Sequence, residues 1–472
     1  MRYEQILDLP NFCAHEHWGS IASFGMHGDC FAADFEAGAL PRRQTNLVDI
    51  VLDPYLADQI AQAGVDVDEI AREADAPDIR ELAERSAVRA FALLHRALAR
   101  HRLTGTYQCI RRGLRELYGT DIAQAGDRDL RGLSSRIARN YEAPFRWYRE
   151  AMRKARFSGL IRPVHPEFFY LKAPGGGASR AAASTAARTG TAAEELAFTK
   201  PILRIDPLLA MGPDQPLGLD ERPGPKDSSR GTASARREAL VEMLGIEPAG
   251  PEGWRAFLTR LFDHAGANGN AGIKQLQAYR RTLDFAPRAD GEVEWSGEPT
   301  DRQRTAWEDW LVHECCKQAH ERGWPHQVHV GTHNLGRSSP LPLEALARRY
   351  PRMKIVQLHC WPFLEESGWL ARHLPNVYVD TCWLPVLNPA FLRQALRTWL
   401  NYLPAGKIMC SHDASSAEMA AGSASFTREI LHEVVSEQLD AGTADAPHLR
   451  RVAGGFLNDN AVRVYGIGKP VP

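Results

Sequence analysis

Four short segments of this 472-residue chain each run from strand-forming residues into a side chain that binds a hard divalent metal. They are Asn11-Phe12-Cys13-Ala14-His15-Glu16-His17, His326-Gln327-Val328-His329, Lys354-Ile355-Val356-Gln357-Leu358-His359 and Lys407-Ile408-Met409-Cys410-Ser411-His412-Asp413. Neutral imidazoles and a carboxylate that converge make an open metal site, able to polarise a substrate oxygen and activate water. On an extended strand residues i and i+2 share a face, so His15 and His17 are expected to point together and Glu16 away. Two ordinary polar residues at a strand end would be the bland alternative. Three further strand ends carrying His, His and Asp in order weigh against it.

The other candidates carry competing roles. His329 closes its segment, and His333 in the following Gly331-Thr332-His333-Asn334 loop is an alternative to it; His326 opens the segment and falls at the far end. His359, before Cys360-Trp361-Pro362, is either a ligand or a hydrogen-bonded core histidine. Asp413 can hold a metal, take a proton from water and pass it to a leaving group, or it simply caps the helix that follows. His412 faces the opposite way or orients a neighbour. Lys274 closes Ala271-Gly272-Ile273-Lys274, and a lysine inside a barrel needs an anion or a ligand role. It is a carbamylated bridge between two metals, an ammonium that binds substrate, or a surface lysine one register off. Arg280 and Arg281 follow, and one of them can clamp a carboxylate in bidentate fashion. Arg280 is assigned that role, with Tyr279, Trp361 and His333 completing the expected substrate-binding set.

These residues need a scaffold that brings strand ends together. Eight apolar runs read as strands, over 11–17, 158–164, 201–207, 271–277, 326–331, 354–360, 376–383 and 407–413. Helical patterns separate the later ones, as in 301–322 and 389–402. Alternating strands and helices imply an α/β fold with a parallel sheet, and the count of eight implies a (β/α)8 TIM barrel, whose chemistry sits at the C-terminal strand ends. The chain reads as a single barrel domain over 1–472 with a large helical insertion after strand 1, at about 31–148. A Gly/Ala/Ser-rich loop at about 173–195 and a polar stretch at 214–230 bury little.

Composition bounds the rest. Lys and Arg total 57 against 58 Asp and Glu, a balance with no electrostatic footprint for nucleic acid or anionic lipid. No apolar run is long enough to span a membrane, and the N-terminus lacks a signal-peptide profile. Eight cysteines in a chain this long form no disulfide framework, which suits a reduced, cytoplasmic protein. The expected partner is a small-molecule substrate. Trp254, Trp307, Trp310 and Trp369, on helical segments, serve either a core or the interface of a homo-oligomer.

The residue set resembles the amidohydrolase superfamily. More narrowly, residues 272–281, 326–331, 354–359, 375–380 and 411–413, with the closing Asn460-Ala461-Val462-Arg463-Val464-Tyr465-Gly466, resemble the amidohydrolase-like domain found fused to glutamine-synthetase-like domains. The long insertion after strand 1 is similar to that of uronate isomerases, distant members of the superfamily. The resemblance implies one or two divalent ions (zinc, with manganese or iron as alternatives) on His15, His17, His329, His359, Asp413 and Lys274. It assigns catalysis to Asp413, His359 and Lys274. The leading expectation is a hydrolase of a C–N bond in a small carboxylated substrate. A sugar-acid isomerase or decarboxylase is the alternative, and a non-catalytic barrel scaffold the third reading.

Overall fold

A computed structural model describes residues 4–17, 45–52, 54–62, 64–169, 198–214, 233–297 and 300–468. The runs rich in β-branched residues are strands: β1 (Asn11–Cys13), β2 (Phe157–Val164), β3 (Thr199–Arg204), β4 (Ile273–Gln275), β5 (Pro325–Val330), β6 (Lys354–His359), β7 (Val377–Asp380) and β8 (Ile408–Met409). All are parallel and neighbours in chain order. Beyond the strand ends, the Asp413 backbone N–H donates to the His15 carbonyl at 3.1 Å, which brings the last segment against the first. The expected α/β barrel is therefore the architecture, with a strand at each of the eight positions read from sequence.

Register decides which side chains enter the barrel. Paired residues on parallel strands share a face. Lys274, Gln327, Val356 and Tyr378 thus form one layer. His329, Leu358, Asp380 and Met409 form the next, nearer the C-terminal ends. Phe12, Ile161, Ile202, Val356, Leu358 and Met409 make an interior apolar cluster, closed by Ala461, Val464 and Tyr465 of the last helix. The alternate residues, such as Ile273, Val328, Ile355 and Val379, face outward into the larger core shared with the helices.

The helices bear on the site at one place. Between β1 and β2 lie α1 (Ile79–Ala97), α2 (Gly105–Tyr118), α3 (Asp127–Asn140) and α4 (Pro144–Lys154), and the helix after β8 is α5 (Ala417–Asp440). α2 and α5 cross with backbones in contact. A Cβ on Gly113 would stand 1.7 Å from the Glu418 carbonyl oxygen, and one on Gly422 1.7 Å from that of Cys109. The Glu418 carboxylate, fully buried, accepts from Tyr118 Oη and Tyr141 Oη, both at 2.6 Å, and from Trp147 Nε1 at 3.1 Å. Burial of that charge costs free energy, which these three donors offset. The expected 173–195 loop, residues 31–44 and most of 214–230 lie outside the described residues.

Candidate metal centre

β1 ends at Cys13, four residues short of the expected strand, and its ladder with β2 shifts register between Asn11 and Phe12. The chain stays on course through Glu16, whose N–H donates to the Ile161 carbonyl at 2.9 Å. His15 and His17 still reach one place. Their Nε2 atoms lie 3.5 and 3.3 Å from Asp413 Oδ1. His359 Nε2 lies 3.9 Å from the other oxygen, Oδ2. Asp413 is not a helix cap: Ser416 caps α5, its Oγ accepting from Met419 N at 3.1 Å.

The proton positions on these rings follow from their partners. His359 Nδ1 lies 3.1 Å from the Cys382 carbonyl oxygen, which can only accept, so Nδ1 carries the hydrogen. Gln327 Nε2 donates to the Ala14 carbonyl at 2.6 Å and to Tyr465 Oη at 2.7 Å. That fixes Gln327 Oε1 toward His15 Nδ1, 2.8 Å away, which must donate to it. Both histidines therefore carry their hydrogen on Nδ1; the Nε2 lone pair of His359 is bare, and that of His15 accepts from Lys274 Nζ at 3.1 Å. Asp413 Oδ1 and His359 Nε2 are buried and make no hydrogen bond. Acceptors facing acceptors repel unless a cation lies among them.

Electrostatics favour the ligand forms. Burial, then Lys274, His17 and His359, lowers the His15 pKa well below the ordinary value. Burial lowers His359 to about 4, against the opposing pull of Asp413. Neutral imidazoles bind metals without first losing a proton. Lys274 is buried, which removes the surface reading; its Nζ donates to His15 Nε2 at 3.1 Å. Burial lowers the lysine pKa while Asp413 raises it. His15, His17 and Asp413 form one group of potential metal donors and His359, Cys382 and Asp413 a second. These donors fit a divalent ion.

The remaining candidates fall around this centre. His329 packs edge-on to His359, ring centroids 4.5 Å apart, with its Nε2 held at 2.9 Å by Thr332 Oγ1. Thr332 also holds His333 Nδ1 at 3.0 Å, and His333 stacks on Trp383 and Tyr279. Trp361 packs half-buried against the outer core. His326 faces outward to Cys316, and His412 to Asn11 and Ser423.

The arginine assignment does not hold. Arg280 is exposed, and Arg281 is committed to Glu308 and Asp309. The β4 strand ends before them, at Gln275, and a 3₁₀ turn over Gln277–Tyr279 separates them from it. Arg204 instead pairs in register with Lys274 and lies against Asp206 and His165. Its place inside the predicted third strand was the only sequence signal. Glu16 also departs from expectation: it is fully buried, its Oε1 accepting from His17 N at 3.0 Å and Ala414 N at 2.6 Å. It thereby ties the two ligand segments together. Four non-glycine strand-end residues, His359, Cys360, Trp383 and Asp413, have φ between 51° and 69°, a strained conformation that clusters at functional sites.

Residues 291–467 match the amidohydrolase family model. Protein fluG of Emericella nidulans is 26% identical over 225 residues, 43% of this chain and 26% of its own length. The chain thus aligns with about a quarter of that relative. A uronate isomerase from Thermotoga maritima superposes with a TM-score of 0.68 at 15% identity, covering 98% of this chain and 96% of its own. A glucuronate isomerase from Caulobacter crescentus gives 0.68 at 14% identity, covering 100% and 94%. At such identities the structural likeness shows the fold.

Proposed function

We propose that this barrel of the amidohydrolase superfamily is a metal-dependent hydrolase cleaving a C–N bond, amide or isopeptide, of a small carboxylated substrate. The observation that carries the reading is the Asp413 carboxylate, facing the Nε2 atoms of His15, His17 and His359. His15, His17 and Asp413 hold the ion, zinc by the chemistry of the donors and cytoplasmic availability. When bound, such an ion supplies Lewis acidity, polarising a carbonyl and acidifying water. Asp413 accepts the proton of the attacking water and delivers it to the leaving nitrogen as the C–N bond breaks. His359, with its hydrogen on Nδ1, offers only a lone pair at Nε2 and serves as a ligand. Lys274 and Arg204, adjacent on β4 and β3, provide the cationic end for a substrate carboxylate. His333, Tyr279 and Trp383 form an aromatic wall beside it. The buried free thiols suit a reducing cytoplasm.

A sugar-acid isomerase is the second reading. It is favoured by the full-length fold likeness to uronate isomerases. The test is metal content on protein prepared without chelator, followed by assays for amine release from carboxylated amides and for aldose–ketose acid interconversion. Bound divalent metal with amine release, abolished in Asp413→Asn, supports the hydrolase. Interconversion without amine release moves the function to the isomerase. Near-normal turnover in Asp413→Asn removes the proton-transfer role.

A further inference from the structure

The loop after β7 brings a thiol close to the Asp413 carboxylate. Cys382 is fully buried. Its Sγ, a His359 ring nitrogen and an Asp413 oxygen all lie within 4.8 Å of one another. The loop is pinned in that position twice: Cys382 N donates to Asp380 Oδ1 at 2.8 Å, and Cys382 O accepts from His359 Nδ1. The second bond also fixes the His359 tautomer that leaves Nε2 bare. The two Asp413 oxygens are divided between the groups, Oδ1 toward His15 and His17 and Oδ2 toward His359.

We propose that His359, Cys382 and Asp413 form a second, thiolate-bearing metal site that shares Asp413 with the first, so that the proton-accepting role of Asp413 belongs to the form with the second site empty. It rests on the metal centre proposed above and adds a ligand from a strand to which sequence assigned no chemistry. The other buried thiols near the barrel mouth are engaged elsewhere: Cys13 with the His15 carbonyl at 3.0 Å and Cys360 with the Gln357 carbonyl at 3.4 Å. Metal entry replaces the S–H bond by a sulfur–metal bond and releases one proton per site to solvent. In the metal-free chain, burial and the Asp413 and Asp380 carboxylates keep the thiol protonated. A donor set of sulfur, nitrogen and oxygen selects zinc, cobalt or cadmium over magnesium and calcium.

The test is titration of chelator-stripped, full-length protein with Co(II), followed by absorption. Two equivalents are expected, one of them bringing a sulfur-to-cobalt charge-transfer band in the near ultraviolet. Cys382→Ser is expected to lose that band and one equivalent, while Cys410→Ser keeps both. Cobalt binding with visible ligand-field bands but no charge transfer would overturn the thiolate site and leave the first site standing. A charge-transfer band that survives in Cys382→Ser overturns it as well. No cobalt binding at all would overturn both sites together. Should Cys382→Ser fail to fold, X-ray absorption of zinc-loaded wild-type protein decides the question: a sulfur neighbour at about 2.3 Å supports the site, and its absence refutes it.

Discussion

Gln327→Met is a near-isosteric change that removes the polar atoms behind His15. Three hydrogen bonds go with it: from His15 Nδ1 at 2.8 Å, to the Ala14 carbonyl at 2.6 Å and to Tyr465 Oη at 2.7 Å. Without Oε1 the hydrogen on Nδ1 has no acceptor, and only Lys274 Nζ at Nε2 still favours that tautomer. Asp413 Oδ1, 3.5 Å from Nε2, then attracts the hydrogen to that side, and the lone pair turns away from the metal. Removing such a supporting partner costs about 10–100-fold in metal affinity, equivalent to roughly 1.4–2.7 kcal/mol. The buried Ala14 carbonyl left unpaired adds about 1–3 kcal/mol of lost folding stability. Chelator competition with zinc measures the first effect and thermal unfolding of the metal-free protein the second. Gln327→Glu separates them: its carboxylate still accepts from His15 but cannot donate to Ala14, so affinity persists while stability falls. Wild-type zinc affinity in Gln327→Met would refute the tautomer argument, whatever happens to stability.

Two further perturbations probe the scaffold. Gly422→Ala places a methyl 1.7 Å from the Cys109 carbonyl oxygen on α2, so the helices must separate. The expected loss is about 1–3 kcal/mol, read by denaturant unfolding, and wild-type stability would show that the crossing is not close. His326 is held neutral by burial, its pKa lowered to about 3. The folded state therefore binds fewer protons than the unfolded chain, whose histidines titrate near 6.5. Its contribution is fully present above about pH 6.5 and is lost as pH falls toward 3. Relative to wild type, His326→Gln should gain about 1.4 kcal/mol per pH unit of acidification through that window. A stability difference between the two that does not change with pH would refute the assignment.

Much of the scaffold is legible from local pattern. Each of the eight strands falls within or overlaps a run of Val, Ile, Leu or Cys flanked by turn residues, since β-propensity and burial act on neighbours in sequence. His15, His17, His359 and Asp413 are legible for the same reason: each closes a strand or follows one closely, and the barrel collects strand ends at one face. His329 sits where its strand predicts, yet Thr332 takes its Nε2, a contact set by how the loop folds back. Arg280, assigned to clamp a carboxylate, is instead exposed, because an unclear strand end shifts what lies beyond it. β4 stops at Gln275, and beyond a short 3₁₀ turn Arg281 reaches Glu308 and Asp309.

The sequence by itself determined the order of strands, the residue types at their ends and hence the kind of ion they can hold, because these depend on periodicity and donor chemistry. Tertiary structure alone decided how the donors are used. Gln327 reaches His15 across 312 positions. Glu418 docks α2, α3 and α4 through partners some 270 to 300 positions away. The Cys382 thiol meets the Asp413 carboxylate only because β7 and β8 are neighbours in the curved sheet. Tautomers, buried charge and shared ligands depend on distances of a few ångströms between segments whose separation along the chain carries no such information.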